Sequence, residues 1–363
     1  MFTLRLAPIL LSVIMLLSAC QSTNEIEPIE ESTQPVTEAI VLEESFEPIP
    51  YPESQLYLDN IQSGGVPPDG IPSVDDPEFI TITEAKSLYN DHDQMFIVEL
   101  DGQVYLYPQS ILVWHEIVNM SSHNAAVTYC PLTGSAITYR YPDHITTQFG
   151  TSGTLLNSNL VMYDRITGSN ISQIDGVGLD GQLEGYVLEN IPTHWIDFVS
   201  AAALHEDALV LSQQTGYIRD YQRDPYGSYT AEPVGNYYIS PGVMFPLIHT
   251  PDDLTIAQKQ PMIGIKGKDA YLALNKLSVI DDEPLHFDLG QQAMTAVYDA
   301  SIENVRVFNG TLSIVDGALT DNDNGLWSLD GNSLSGAQSL ASPLYFEVMW
   351  FAWYAFYPET EVI

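Results

Sequence analysis

Apolar and polar residues alternate over Phe96–Leu100 and again over Gln103–Tyr107, on either side of Asp101-Gly102. A period of two turns one side of each run toward a core, and Asp-Gly suits a two-residue turn, so a β-hairpin is expected here. Ser110–Val118 is expected to form a short helix. Ala125–Tyr129 and Ala136–Tyr139 read as two further strands around a turn running from Pro131 to Gly134. Trp195–Leu204 reads as a helix and Ala208–Ser212 as the strand after it.

The pattern then recurs. Ile263-Gly264-Ile265-Lys266-Gly267 followed by Tyr271-Leu272 echoes Val98-Glu99-Leu100-Asp101-Gly102 followed by Tyr105-Leu106. Thr295–Tyr298 and Val305–Phe308 echo Ala126–Tyr129 and Ala136–Tyr139. Asp330-Gly331 with Gly336 repeats the spacing of Asp175-Gly176 with Gly181, and Trp350–Ile363 matches the helix and strand that begin at Trp195. Four echoes in one order point to a tandem duplication. The expected fold is therefore a β-rich α+β protein. Its first half spans residues 63–214, a Tyr/Pro-rich connector residues 215–261, and a second, degenerate half residues 262–363. The second half lacks counterparts of Cys130, Pro131 and His115-Glu116, so chemistry is expected in the first half or between the halves.

The N-terminus changes the setting. Arg5, an apolar run over Ile9–Leu17, and Leu17-Ser18-Ala19-Cys20 have the layout of a signal peptide (residues 1–19) ending in a bacterial lipobox. Cleavage would leave Cys20 to be acylated, with palmitate or a similar chain, as a membrane anchor. Gln21 after it favours an outer membrane, with the protein facing the periplasm or the cell surface. Residues 20–62 read as an acidic, disordered tether. Between Gln21 and Pro50 there are eight Glu, no Lys or Arg, and four Pro.

Composition narrows the partners. The 48 Asp+Glu against 11 Lys+Arg give a net charge of -37, which excludes nucleic-acid binding and electrostatic docking on anionic lipid. The membrane contact is left to the lipid on Cys20. With Cys20 acylated, Cys130 has no disulfide partner. Three readings of it stay open: a thiol packed under a turn, a nucleophile, or a ligand for copper or iron together with His115 and Met162. His115 and Glu116 are neighbours, so on a helix they point about 100° apart. Asp164 and Arg165 should face opposite ways on a strand. With so few basic residues, Arg165 and Arg219 are candidates to hold an anion or a carboxylate. The connector carries Arg219, Asp220, Tyr221, Tyr226 and Tyr229, expected either to rim a cleft or to pack loops.

Three segments carry a resemblance: Trp114-His115-Glu116-Ile117-Val118-Asn119; Thr128-Tyr129-Cys130-Pro131-Leu132-Thr133-Gly134-Ser135-Ala136; and Asn157–Arg165 with Ser172-Gln173. Their order and wording resemble the bacterial family known as domain of unknown function 3179, from about Gly64 to about Tyr229 and more loosely beyond. The resemblance implies a shared site among His115, Glu116, Cys130, Asn159, Asp164 and Arg165; Tyr129 and Ser135 join the binding candidates. Thr133 stands where some relatives have a second cysteine, and Ile171 where most have tryptophan. Without Cys-x-x-Cys a dithiol mechanism is closed to this chain. The expected function is an envelope lipoprotein that binds a metal or a small polar ligand around Cys130 and His115. The alternatives are a thiol- or metal-dependent enzyme and a structural envelope protein.

Overall fold

The computed structural model describes residues 53–141, 147–227, 236–252, 255–281 and 283–363. The expected signal peptide, Cys20 and the expected tether as far as Pro52 lie outside the described residues, as does Tyr229.

Helix α1 (Ser54–Asn60) and strand β1 (Gln62–Ser63) open the described chain, followed by β2 (Phe79–Thr81) and α2 (Ile82–Ala85). Thr81 and Glu84 close a capping box that starts α2. The expected hairpin is β3 (Gln94–Leu100) and β4 (Gln103–Pro108). Asp101 and Gly102 both have positive φ, which matches the twist of the two strands. Next come α3 (Gln109–His115), β5 (Ile117–Met120), β6 (Ala125–Cys130), β7 (Ser135–Arg140), β8 (Phe149–Leu156), β9 (Asn159–Asp164), β10 (Asn170–Ser172), β11 (Asn190–Ile191), β12 (Thr193–Asp197), α4 (Phe198–Leu204) and β13 (Leu209–Leu211). The second half holds β14 (Pro261–Lys266), β15 (Tyr271–Leu274), α5 (Lys276–Asp281), β16 (Leu285–Leu289), β17 (Gln292–Asp299), β18 (Asn304–Asn309), β19 (Ser313–Val315), β20 (Ala318–Thr320), β21 (Leu326–Trp327), β22 (Leu344–Met349), α6 (Trp350–Phe356) and β23 (Glu361–Val362).

The expected elements shift in three places. The helix expected over Ser110–Val118 ends at His115, because Glu116 turns left-handed and Ile117 enters a strand. Trp195 and Ile196 belong to β12 and not to the helix after it; Asp197 caps that helix by accepting a hydrogen bond from the Ser200 amide. Ser54–Asn60, expected within the tether, is helical. Its Tyr57 is buried and meets Phe356 of α6 edge-on at 5.7 Å.

The two halves follow one path. In the first, the sheet order β12-β3-β4-β13 is antiparallel except for the parallel pair β4–β13, and in the second β22-β14-β15-β23 repeats it with β15–β23 parallel. The register repeats too. Thr193, Val98, Tyr105 and Leu209 lie in one row, and Tyr345, Ile265, Leu272 and Glu361 lie in the equivalent one. The Phe198 and Val199 amides donate to Asp93 and Asp91 carbonyls, while those of Trp350 and Phe351 donate to Gln260 and Gln258. Each half adds a meander, β5-β6-β7 or β16-β17-β18.

The largest core runs through both halves. Ile117, Cys130, Leu132, Ile137, Leu160 and Val161 share it with Phe346, Trp350, Phe351 and Trp353. Among the described residues no helix is long and apolar enough to cross a membrane.

Candidate functional site

The second and third sequence motifs meet in a buried polar network. Asn159 at the start of β9 donates through Nδ2 to Thr133 Oγ1 at 2.9 Å and Gln173 Oε1 at 2.7 Å, and its Oδ1 accepts from the Ile174 amide at 3.2 Å. Ser135 Oγ lies 2.9 Å from Thr133 Oγ1 and donates to Gln173 Oε1 at 2.9 Å, while Gln173 Nε2 donates to Thr128 Oγ1 at 3.0 Å. All five side chains are fully buried. Each hydrogen bond lost here would leave a desolvated group behind, so these residues fix β6, β7 and β9 against one another. That accounts for Ser135 and Asn159 without a ligand. Met162 packs in the main core, paired with Thr151 and Ile171 on the neighbouring strands.

His115 is likewise committed. Its Nδ1 is 2.8 Å from the Pro72 carbonyl, which can only accept, so Nδ1 carries the proton. Nε2 then accepts from Tyr221 Oη at 2.7 Å, and Tyr221 Oη lies 2.5 Å from Thr215 Oγ1. Burial lowers the His115 pKa, helped by the charge of Arg219, which keeps the ring neutral. It ties the Pro72 loop and the connector to α3. Both nitrogens are thus in use. Among the described residues no group of three or more His, Cys, Asp and Glu side chains could hold a metal ion.

Asp164 closes the turn after β9, its Oδ1 accepting from the amides of Ile166 and Thr167 at 3.0 and 2.6 Å. Arg165 faces the other way and clamps the loop before β2. Its Nη1 donates to Asp75 at 2.7 Å, and its Nη2 to Asp69 at 3.1 Å and Ser73 at 2.8 Å. Arg219 is exposed and lies 6.0 Å from the Trp114 ring centre and 5.9 Å from that of Tyr217.

Asp164 keeps one buried oxygen, Oδ2, without a hydrogen-bond partner among the described residues, but Glu116 is the residue whose whole carboxyl group is left over. It follows α3 with φ 58°, a conformation that favours Gly or Asn, and it is only 6 % exposed. Among the described residues no hydrogen bond or ion pair reaches its carboxyl group. Burial pushes its pKa up to about 8, so at neutral pH it is mostly an uncharged acid. Its charge, when present, bears on Cys130 and Tyr226. Cys130 ends β6 at 1 % exposure, with Sγ 3.9 Å from the Ser158 carbonyl. Burial first, and Glu116 second, push the thiol up to about 11, so it rests protonated.

The connector covers this pair. The Tyr237 amide donates to the Tyr226 carbonyl at 2.7 Å, and Tyr237 Oη to the Leu132 carbonyl at 2.8 Å, over the Cys130 turn. Asp224 accepts from Gln109 of α3 and from Tyr238 Oη at 2.9 and 3.0 Å. Lys259, 8 % exposed, sits 3.3 Å from the Tyr237 ring centre and donates to its carbonyl at 2.6 Å; burial lowers its pKa to about 8. Tyr237, Tyr238 and Lys259 were not among the sequence candidates. Their sequence signals were the Tyr-rich connector that holds all three, read as able to line a site, and a lysine in a chain with 11 basic residues.

The arrangement is an uncharged acid and a thiol under an aromatic cover. It can donate hydrogen bonds, and the acid can change protonation near neutral pH. A family model described as "Protein of unknown function (DUF3179)" matches residues 68–360, and the chain belongs to that family. No curated protein and no solved structure matches it.

Proposed function

We propose that this member of the family is a lipid-anchored envelope protein that binds a small polar ligand beside Glu116 and Cys130. The carrying observation is Glu116: a left-handed, buried carboxyl group with no polar partner among the described residues. Burying an acid without a partner costs several kcal/mol, and backbone strain of this kind collects at functional sites. A ligand that accepts a hydrogen bond from the acid would recover part of that cost. The lipobox at Leu17–Cys20 and the acidic segment behind it support the anchored location. The repeated register of the two halves supports descent by tandem duplication.

Fatty-acid labelling tests the anchor: wild type takes up label and Cys20→Ser does not, and any other pattern removes it. For the site, native mass spectrometry of protein from the envelope fraction is expected to find a small non-covalent adduct that Glu116→Gln loses. Absence of the adduct from wild type defeats the binding reading. The thiol-dependent enzyme gains if Cys130 in the folded protein reacts with a maleimide as fast as in the unfolded one.

A further inference from the structure

A cleft of about 280 Å³ lies where the two halves meet. Trp195, Ile196 and Asp197 at the end of β12 line it on one side, with Glu347, Val348 and Met349 at the end of β22 opposite. These are equivalent positions: Thr193 pairs with Val98 just as Tyr345 pairs with Ile265, which sets Trp195 against Glu347 and Asp197 against Met349 in the register. The first residues of β3 and β14, and the residues just before β7 and β18, line it as further equivalent pairs. The cleft therefore sits on the approximate twofold relation between the halves.

Its chemistry is not twofold. Where the first half places an indole, the second places a carboxyl group. Glu347 Oε1 accepts from Asn304 Nδ2 at 2.6 Å and lies 3.9 Å from Lys276 Nζ. Lys276 itself donates to the Glu303 carbonyl at 2.9 Å and is a third exposed, so it is held at the rim. Asp197 is already engaged by His92 and by the cap of α4. Trp195 is fixed edge-on against Phe96 and Tyr129, with ring centres at 4.7 and 5.9 Å. The residues lining the cleft thus include three acids, Asp197, Glu303 and Glu347, one cation, Lys276, and one amide, Gln94, on walls that are otherwise apolar.

We propose that this cleft binds a small organic cation, its ammonium group on Glu347 in place of Lys276 and its apolar part against Trp195, Ile302 and Met349. Small-molecule sites take this form, mostly apolar walls with a few convergent polar groups, often at the boundary of two structural units. An aromatic wall beside a carboxylate suits an alkylammonium. Burial raises the Glu347 pKa even with Lys276 and Asn304 opposing it, so a cation seated closer than Lys276 would favour its ionised form. The net charge of -37 adds a general attraction for cations.

Titration of the full-length protein in detergent with butylammonium chloride, followed by calorimetry, tests this, with sodium butyrate as the charge-reversed probe and sodium chloride to fix ionic strength. Butylammonium is expected to saturate one site and butyrate to give no binding. Glu347→Gln, which keeps the Asn304 hydrogen bond, should weaken binding about tenfold or more, the loss of a pair worth roughly 1.4 kcal/mol. Lys276→Met, which removes the competing cation, should tighten it several-fold, an effect that a merely structural lysine would not have. Butyrate binding in place of butylammonium, no binding of butylammonium, or equal affinity in Glu347→Gln would each overturn the proposal.

Discussion

Glu116 carries a titration of opposite sign to those of His115 and Lys259. Its folded pKa of about 8 stands above the ordinary 4.5, so the folded state keeps a proton that the unfolded chain gives up. Stability is then full below about pH 4.5 and falls as pH rises to about 8, by an amount on the order of a few kcal/mol. His115 acts in the opposite sense, since burial lowers its pKa and neutralising it favours the fold as pH rises. Comparing wild type with Glu116→Gln isolates the glutamate. The substitution is expected to flatten the fall between about pH 4.5 and 8 and to leave the variant the more stable protein at the upper end. Urea unfolding across that range measures it. A wild-type profile parallel to that of the variant would show that the Glu116 carboxyl group is solvated or partnered. Cys130 adds nothing in this window, because its thiol stays protonated up to about 11.

At the scale of elements, one side chain ties together three residues of a single segment. The loop before β2 is held by backbone bonds at Asp69 (to Thr151) and Val74 (to Ile117 and from Asn119), by side-chain bonds from His115, Asn119, Thr151 and Tyr163, and by Arg165, which bonds Asp69, Ser73 and Asp75 together. Arg165→Ala is expected to lower stability by about 1–2 kcal/mol, the pair being partly exposed. Amide exchange should also quicken at Asp69 and Val74 while β6 and β7 stay protected. Uniform quickening throughout the protein would mean that the arginine serves global stability and not this loop. The loop shows what the sequence could and could not reveal. Asp101-Gly102 announced its hairpin because that turn chemistry is local. Trp195 was read into a helix because Trp195–Leu204 is apolar enough for either element, and only the Asp197 cap marks the boundary. The Tyr-rich connector was legible as a segment that could rim a site, but its contact over Cys130 was not, because Tyr237 reaches Leu132 across 105 residues and no periodicity records that contact. Motif residues such as Ser135 and Asn159 stood out in the sequence, yet a buried network sets off such a motif as readily as a ligand site does.

At the scale of the whole molecule, the core and the charge act in opposite directions. The main core takes residues from both halves, and α1, which precedes the first, packs on α6 of the second through Tyr57 and Phe356. Neither half can lose its partner without exposing that shared surface, so the halves are expected to unfold together. Against this stands the repulsion of 48 Asp+Glu with 11 Lys+Arg. Among the described residues only six contacts join a Lys or Arg to a carboxylate, and most of these are partly exposed. Salt weakens such pairs and the repulsion alike, but the 48 Asp+Glu far outnumber the 11 Lys+Arg, so screening should be a net gain. Urea carries no charge and leaves the ionic strength free to vary. A single urea transition is therefore expected, with a midpoint that climbs as sodium chloride is raised from about 0.05 to 1 M, where the screening length falls to roughly 3 Å. A midpoint that stays level or drops would mean that the few ion pairs outweigh the repulsion, and two separate transitions would mean that the shared core does not couple the halves.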